Sequence, residues 1–572
     1  MKPPRPGTER SADPASPEAT PHPARVEDLW EVFLSRDNLT RALRRVEVNR
    51  GAPGPDGMTV EQLRPHLKTA WPELRKALDA GTYRPAPVRR VTIPKPDGGE
   101  RELGVPTVTD RFLQQALSQV LSPIFEPTFS DRSFGFRPGR SAHQAVMAAR
   151  AAIEAGETWV VDVDLERFFD RVQHDALMAR VARRVGDRRV LRLIRRYLDA
   201  GVMVGGVKIA RTEGTPQGSP LSPLLANIML DDLDRELERR GHTFVRYADD
   251  LRVYVASERA AQRVLDGITV FVERRLHLRV NQAKSGTAPA TVRGLLGFGF
   301  YRSHGRLAIR LGPKTKARLR ARLREITDRH RSIAMPDRVS LLNRFLAGWT
   351  AYFALAETPS VFNEFDEWLR RRLRQVRWKE WKRCPTRRQN LRALGIPDHK
   401  ARQWASSRKG YWRISGSPAL QWAMPTAYWT QLGLVPIGER VRRLREHWRT
   451  AGCGPACPVV WQGWRGDSPP YADLPATFRF QSPANIENNN PNRSEALGPQ
   501  CATGAAGAIL AGLGLCLMAA AARASRIVAG CVVAPFPSVV VGVGVSARGA
   551  ALPSPATGVL RARNAVNELF VM

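Results

Sequence analysis

The chain of 572 residues has few cysteines and few acidic residues, and it has no lysine after position 409. Six scattered cysteines in a chain of this length exclude a disulfide scaffold. Cys453 and Cys457 form a lone pair with no second pair or histidine cluster nearby, so we expect no metal site there. Residues 1–24 contain seven prolines and no apolar run, which argues against a signal peptide and predicts a disordered tail. We expect a cytoplasmic protein.

The shortage of acidic residues leaves a large positive charge. The chain has 89 Lys and Arg against 54 Asp and Glu, which gives a formal charge of +35. Within 301–400 we count 25 Lys and Arg and 9 Asp and Glu. Eleven of the 14 tryptophans lie at or after Trp349, interleaved with arginine. Arginine with aromatic rings suits nucleic acid, and RNA in particular, because each neutralised phosphate releases counterions. A helical bundle with a tryptophan core and a basic surface fits the same pattern.

The most informative segment is 244–255, with the sequence Phe-Val-Arg-Tyr-Ala-Asp-Asp-Leu-Arg-Val-Tyr-Val. Two alternating apolar runs flank Asp249 and Asp250, which predicts two strands that meet in a tight turn. Adjacent carboxylates repel each other, but a divalent cation between them and phosphate groups would relieve the repulsion. A solvated Asp-Asp turn is the alternative.

A second carboxylate motif lies in segment 159–170, where Asp162 and Asp164 share one face of a predicted buried strand that runs into a helix. Two-metal phosphoryl transfer needs carboxylates from separate elements to hold two Mg²⁺ ions about 4 Å apart. The two motifs together predict such a site.

With these motifs, the chain resembles the group II intron-encoded reverse transcriptase/maturases of the bacterial type that lacks an endonuclease. The resemblance covers about 35–447 and follows the order of the family's motifs. Its further blocks are 49–57 (Asn-Arg-Gly-Ala-Pro-Gly-Pro-Asp-Gly), 93–106, 133–143 (Ser-Phe-Gly-Phe-Arg-Pro-Gly-Arg-Ser-Ala-His), 214–223 (Gly-Thr-Pro-Gln-Gly-Ser-Pro-Leu-Ser-Pro) and 294–298. It implies an α+β right-hand polymerase fold, with fingers and palm followed by a helical thumb/maturase region.

The resemblance implies a role for each candidate site residue. Asp164, Asp249 and Asp250 would be the catalytic triad that binds two Mg²⁺ ions. Asp164 is preferred to Asp162 because the family places an aromatic residue five positions after the catalytic aspartate. That residue is Phe169, which would be the steric gate against the ribose 2′-hydroxyl; core packing is the alternative.

The remaining substrate-binding residues also rest on the resemblance. Lys95 and Arg101, on the two arms of one predicted hairpin, would hold the triphosphate of a dNTP. Gln217 would lie beside the nascent base pair, and Lys284 would protonate the leaving pyrophosphate or simply pair with a charge. Arg137 and Arg140 would contact the template. His143 and His174 fit a structural role better than a catalytic one.

The sequence divides into six predicted regions. They are a disordered tail (1–24), an N-terminal extension (25–90), reverse transcriptase fingers and palm (91–309), a thumb or maturase domain X (310–395), a DNA-binding region (396–447) and an Ala/Gly-rich C-terminal extension (448–572). The extension contains two uncharged runs of 21 residues, 502–522 and 527–547. The extension has three interpretations: a membrane hairpin, a folded element, or unstructured translated sequence. We favour the last because both runs are rich in Ala and Gly.

We therefore expect an RNA-directed DNA polymerase that binds its parent intron RNA to assist splicing and mobility by target-primed reverse transcription. Its partners would be group II intron RNA, an RNA template, a DNA primer or target, and dNTPs, and we expect no membrane partner. Two alternatives stay open: a non-catalytic RNA-binding splicing cofactor, and a reverse transcriptase repurposed for defence or CRISPR spacer acquisition.

Overall fold

A computed structural model of the chain describes residues 25–94, 100–204, 207–209, 213–215 and 218–450. The predicted N-terminal tail and the C-terminal extension from 451 onward lie outside the described residues, with both cysteines of the lone pair and the two uncharged runs. The strands are Val88–Pro94 (β1), Glu100–Val105 (β2), Trp159–Val163 (β3), Val202–Val204 (β4), Val207–Ile209 (β5), Thr243–Tyr247 (β6), Asp250–Val255 (β7), Gly286–Pro289 (β8), Phe298–Ser303 (β9) and Arg306–Leu311 (β10).

Helices occupy most of the remaining described chain. In the first half they are Leu29–Phe33 (α1), Arg36–Asn49 (α2), Val60–Asp79 (α3), Val108–Phe125 (α4), Ala142–Glu154 (α5), Phe168–Arg171 (α6), His174–Ala182 (α7), Arg188–Asp199 (α8), Ser222–Arg239 (α9) and Glu258–Arg275 (α10). In the second half they are Pro313–Ile326 (α11), Met335–Phe353 (α12), Pro359–Glu380 (α13), Cys384–Ala393 (α14), Asp398–Ala405 (α15), Tyr411–Ser415 (α16), Pro418–Ala423 (α17), Thr426–Gln431 (α18) and Ile437–Thr450 (α19). The expected α+β class is confirmed.

The first sheet has the strand order β2-β1-β4-β5. β1 and β2 are antiparallel, with Pro94 opposite Glu100 and Ile93 opposite Arg101, so the predicted hairpin is present. β1 also pairs in parallel with β4. The residues between the two arms, 95–99, lie outside the described chain.

The second sheet, with the order β6-β7-β3-β8, is antiparallel throughout and carries both carboxylate motifs. Side chains on its strands alternate between two cores. On one face, Val161 and Val253 pack into the cluster that includes α10; on the other face, Val160 and Tyr254 join the cluster that includes α5. The sheet is thus a layer held between helices, and only its strand ends can be exposed.

The second half begins with the β9–β10 hairpin and continues as helices. The apolar spacing around Leu342, Leu346 and Trp349 forms the buried side of α12. α12 and α13 both pack against α19, and α13 also contacts α16. This helical region and the α5 side of the sheet share one hydrophobic cluster, so the helices rest directly on the sheet.

Candidate active site

The two carboxylate motifs meet at one end of the second sheet. Asp162 on β3 lies directly opposite Arg252 on β7, and directly opposed residues of antiparallel strands point to the same face. Asp164 follows β3 and Asp250 begins β7, each two residues from a member of this pair. The alternation that buries Val160 against α5 therefore brings Asp162, Asp164, Asp250 and Arg252 onto one face of the sheet.

The turn between β6 and β7 is as tight as the sequence predicts. Tyr247 pairs with Asp250, so Ala248 and Asp249 form the whole connection. Ala248 has a φ of 59°, in a region that glycine adopts freely but that costs an alanine about 1–2 kcal/mol. This strained backbone turns the chain between Tyr247 and Asp250, so that the two adjacent carboxylates are presented from the end of the hairpin.

A buried arginine holds this turn in place. Arg246 is 1% exposed and donates to both carboxylate oxygens of Asp234, at 2.7 and 2.5 Å. Its Nη1 also donates to the Asn227 Oδ1 and to the Ala248 carbonyl oxygen, each at 2.9 Å. Burial raises the pKa of Asp234, and the Arg246 guanidinium opposes that shift. One ion pair in the core thus fixes the backbone next to Asp249.

Gly135, from the predicted template-side block, lies against the same turn. A Cβ at this glycine would be 2.1 Å from the Ala248 nitrogen, so no side chain fits there. The Phe134 nitrogen donates to the Arg246 carbonyl oxygen at 2.8 Å, and the Asn227 Nδ2 donates to the Gly135 carbonyl oxygen at 2.9 Å. The 133–143 block and the Asp-Asp turn are therefore one packed unit.

Asp162 differs from Asp164 in its environment. Its side chain is 12% exposed and pairs with Arg252 at 3.3 Å and with Arg293 at 3.0 Å. Burial raises the pKa of Asp162, and the Arg252 charge opposes this. The Asp164 side chain is 41% exposed. This contrast supports the choice of Asp164 as the ligand, which stays a prediction.

The donor set fits a hard divalent cation in its chemistry, because Asp164, Asp249 and Asp250 offer only carboxylate oxygens, the ligands that Mg²⁺ prefers. The Asp164 and Asp250 side chains are 41% and 37% exposed, so an ion can reach them. Within the described ranges, no group of three or more His, Cys, Asp or Glu side chains already stands in an arrangement that could hold a metal ion. Metal binding by the triad stays a prediction.

Phe169 lies on the short helix α6, which follows Asp164 and the end of β3. The residue before that helix, Arg167, has a φ of 48°, a second strained position in the site. The Thr215 nitrogen donates to the Phe169 carbonyl oxygen at 2.6 Å, so the described part of the 214–223 block packs on the predicted steric gate. The Phe169 ring is partly buried and contacts Phe168 at 5.2 Å between centroids. Both sequence interpretations, gate and packing, are compatible with this position.

Lys284 lies near the predicted catalytic carboxylate, with 3.7 Å between its Nζ and the Asp164 Oδ2. The chain before it holds the end of β3. The Asn281 nitrogen donates to the Asp164 carbonyl oxygen at 2.8 Å, and the Asp164 nitrogen lies 3.0 Å from the Ser285 Oγ. The Lys284 side chain is 66% exposed, which leaves it able to reach a substrate as well as Asp164.

The other predicted substrate residues are only partly located. Lys95 and Gln217 lie outside the described residues. Arg101 is placed by its backbone, opposite Ile93 in the hairpin. Their contacts with the incoming nucleotide stay predictions.

The predicted template residues Arg137 and Arg140 face different environments. The Arg137 side chain is 3% exposed, and its guanidinium pairs with Glu126 at 2.9 Å and donates to the Ser133 carbonyl oxygen at 2.8 Å. Arg140 is 28% exposed and pairs with Asp131. In this arrangement Arg137 supports the loop from within, and Arg140 is the better placed of the two to reach a template.

Both histidines are buried and hydrogen-bonded. The His143 Nε2 donates to the Tyr352 carbonyl oxygen at 2.6 Å, and its ring contacts Phe298 and Trp448. The His174 Nε2 donates to the Gly214 carbonyl oxygen at 2.8 Å. These contacts agree with the structural role that we expected for both.

Three arginines of the site were missed by the sequence reasoning. Arg252 was detectable, because it lies two residues after Asp250 on the same predicted strand and must share its face. Arg246 stands on β6 among apolar neighbours, and a charged residue inside a buried run indicates a buried partner. Arg293 gave no local signal; its contact with Asp162 joins residues 131 positions apart.

The tryptophans of the helical region divide between core and surface. Trp378 and Trp429 are each 1% exposed, whereas Trp412 is 40% and Trp422 54% exposed. Each exposed ring carries a cation: the Arg371 guanidinium lies 4.0 Å from the Trp412 ring centroid, and the Lys400 Nζ lies 4.7 Å from that of Trp422. The predicted tryptophan core and basic surface are both present, and the predicted DNA-binding region presents stacked aromatic and cationic side chains to solvent. Contact of these side chains with nucleic acid stays a prediction.

Several arginines of the same region are internal supports instead. Arg374 is 7% exposed and donates to the Ser415 carbonyl oxygen at 2.9 Å. Burial, with the nearby charges of Arg370 and Arg371, lowers the pKa of Arg374 to about 10. Fewer positive charges of this region are therefore available to a polyanion than the count of Lys and Arg suggests. Over the part of the chain that the structure describes, no helix is both long and apolar enough to cross a membrane.

Comparison with known families finds two matches in succession. Residues 93–300 match the family described as "Reverse transcriptase (RNA-dependent DNA polymerase)". Residues 316–395 match the family described as "Group II intron, maturase-specific domain". The first range contains every candidate site residue, and the second corresponds to helices α11 to α14.

Individual proteins also match parts of the chain. The chain is 39% identical over 228 residues to Protein YkfC of Escherichia coli strain K12, which covers 39% of this chain and 60% of that protein. It is 38% identical over 215 residues to the group II intron-encoded protein LtrA of Lactococcus lactis subsp. cremoris, which covers 36% of this chain and 34% of that protein. The chain thus spans less than two thirds of either relative. A solved structure titled "Partial Cas6-RT-Cas1--Cas2 complex" is 28% identical, with a TM-score of 0.29 over 43% of this chain and 42% of that one.

Proposed function

This chain belongs to the group II intron-encoded reverse transcriptase/maturases, and from that membership we propose that it is an RNA-directed DNA polymerase that also binds its parent intron RNA to assist splicing and mobility. One observation carries the polymerase half: Asp164 and Asp250 stand at adjacent strand ends on one face of the sheet, beside Asp249, with the Lys284 Nζ 3.7 Å from the Asp164 Oδ2. Carboxylates from two elements at one point are what a two-metal nucleotidyl transfer requires.

Each side chain has a task in this proposal. Asp164, Asp249 and Asp250 would hold two Mg²⁺ ions, which activate the attacking 3′-oxygen and neutralise charge on the leaving pyrophosphate when bound. The Phe169 ring closes the space where a ribose 2′-hydroxyl would stand, so it selects dNTPs. The Lys284 ammonium, 3.7 Å from Asp164, moves to the pyrophosphate and gives up a proton there.

The helical region would supply the maturase half. Exposed Trp412 and Trp422 with their stacked cations suit nucleic acid that presents unpaired bases and phosphates. Binding the folded form of an intron RNA more tightly than its unfolded forms shifts the RNA toward the form that splices. Intron RNA, RNA template, DNA primer and dNTPs are the partners in this proposal.

Primer extension tests the polymerase. We expect the wild-type protein to extend oligo(dT) on poly(rA) with Mg²⁺, and Asp249→Ala to extend nothing while its affinity for RNA stays within about twofold. Extension that survives in Asp249→Ala would refute the triad. A folded wild-type protein that binds RNA but extends no primer would favour the second candidate, a non-catalytic splicing cofactor, for which the exposed Trp412 and Trp422 with their stacked cations are the supporting observation.

A further inference from the structure

Phe136 combines exposure with an unfavourable backbone conformation. Its side chain is 50% exposed and its φ is 60°. A bulky residue rarely adopts this left-handed region, and such strain persists where the surrounding structure over-determines it. Exposure of half of an aromatic side chain means that the ring contributes little burial to folding. Neither burial nor backbone preference explains a phenylalanine at this position.

The loop that carries Phe136 is anchored on both sides. Phe134 is 7% exposed and Gly135 is pressed onto the turn before Asp249, as described above. On the other side, the buried Arg137 guanidinium is bound to Glu126 and to backbone carbonyls. Only the residue between these anchors points outward, so the strained φ serves to hold the Phe136 ring away from the core.

Phe136 lies next to the catalytic turn. A Cβ placed on Gly135 would lie only 2.1 Å from the Ala248 nitrogen. The Cα of Phe136 is about 3.8 Å from the Cα of Gly135. Near it in the chain, Arg132 is exposed, and Arg140, which is 28% exposed, pairs with Asp131, whose side chain is 90% exposed, so these three residues leave a net positive charge. A ring held rigidly at the edge of a polymerase site, among arginines, suits a base or sugar face.

We propose that Phe136 contacts the primer–template duplex, where its ring stacks on a base or sugar within the last few base pairs before the growing end. The inference rests on the proposed function and adds to it a nucleic-acid contact that the sequence motifs did not single out. Aromatic stacking tolerates any base sequence, because every base has a π-face. Phe136 would hold the duplex in register while the neighbouring carboxylates react.

A glycine at position 136 would relieve the backbone strain but would also remove the ring that stacks, so stability and nucleic-acid binding should change in opposite directions. Phe136→Gly removes the ring and the strained residue together, so its Tm should equal or exceed that of the wild type. Its Kd for a fluorescent RNA/DNA primer–template should rise at least fivefold, since loss of one stacked base contact costs that much or more. Phe136→Trp, which keeps an aromatic ring, should bind within twofold of the wild type.

His304→Gly is the matched control, because His304 is also exposed and left-handed, with a φ of 49°, but lies at the tip of the β9–β10 hairpin. Its Kd should not change. The dependence of Kd on salt should be the same for Phe136→Gly as for the wild type, because stacking releases no phosphate counterions, whereas loss of an arginine contact would reduce the slope.

Three results would overturn the inference. They are a Kd for Phe136→Gly within twofold of the wild type, a lowered Tm or failure to fold in that variant, and an equal loss of affinity in His304→Gly. The proposed function is tested separately by primer extension with the wild-type protein. If the wild type extends primers and Phe136→Gly binds normally, only this inference fails.

Discussion

The buried pair of Arg246 and Asp234 supports the turn that carries Asp249 and Asp250, and Arg246→Met tests that support. The two side chains are 1% and 0% exposed. Removing one partner of a buried, hydrogen-bonded pair typically costs about 3–5 kcal/mol, because the other charge stays buried without compensation. The substitution also leaves the Asn227 and Ala248 oxygens without the Arg246 donor. We expect a loss of about 3–5 kcal/mol in the free energy of unfolding.

The loss should depend on pH. Burial already raises the pKa of Asp234, and Arg246 is the main opposing influence. Without Arg246 the folded-state pKa rises further above the unfolded value of about 3.9. A carboxyl with a raised folded pKa stabilises the protein below its unfolded pKa, and this contribution is lost as pH rises through the folded pKa. Arg246→Met should therefore lose less stability at pH 5 than at pH 8.

Urea unfolding at both pH values measures this, with two further variants for comparison. Asp234→Leu combined with Arg246→Met should recover most of the loss, since well-packed apolar residues can replace a buried pair. Arg239→Met breaks an exposed pair with Glu236 and should cost less than about 1 kcal/mol. A loss below about 1 kcal/mol in Arg246→Met, or no recovery in the double variant, would refute the reasoning. Primer extension by Arg246→Met should fall at least tenfold, because the backbone beside Asp249 loses its anchor.

Three other changes have defined outcomes. Phe169→Val should raise UTP incorporation relative to dTTP at least tenfold in single-nucleotide extension, and unchanged discrimination would reject the gate. Arg252→Met should lower the free energy of unfolding by about 2 kcal/mol in urea, less than is usual for a buried pair, because Asp162 keeps a second arginine partner. Adding Asp162→Asn should restore part of the lost stability, and an additive loss would contradict the pairing. Asp366→Ala removes the carboxylate that accepts hydrogen bonds from two backbone amides at the start of α19, at 2.7 and 2.9 Å. The free energy of unfolding should fall by about 1.5–3 kcal/mol. An unchanged urea midpoint would show that other contacts hold this helix end.

The sequence by itself determined the local geometry of the site. Alternation in 159–170 and 244–255 was enough to predict three strands, a tight turn at Asp249 and Asp250, and a common face for Asp162 and Asp164. Each of these rests on residues within a few positions of one another, where side-chain period and turn chemistry act directly. Composition likewise indicated a polyanionic partner.

Only the tertiary structure decided which charges are used inside the protein. Asp162 is bound by Arg252 and by the distant Arg293, and Arg137, which the motif suggested for template contact, has its guanidinium turned inward. The number of tryptophans in the sequence likewise did not show which of them lie in the core and which lie on the surface. Burial and partner choice depend on which segments pack together, and such contacts join residues as far as 131 positions apart, for which a single sequence carries no local signal.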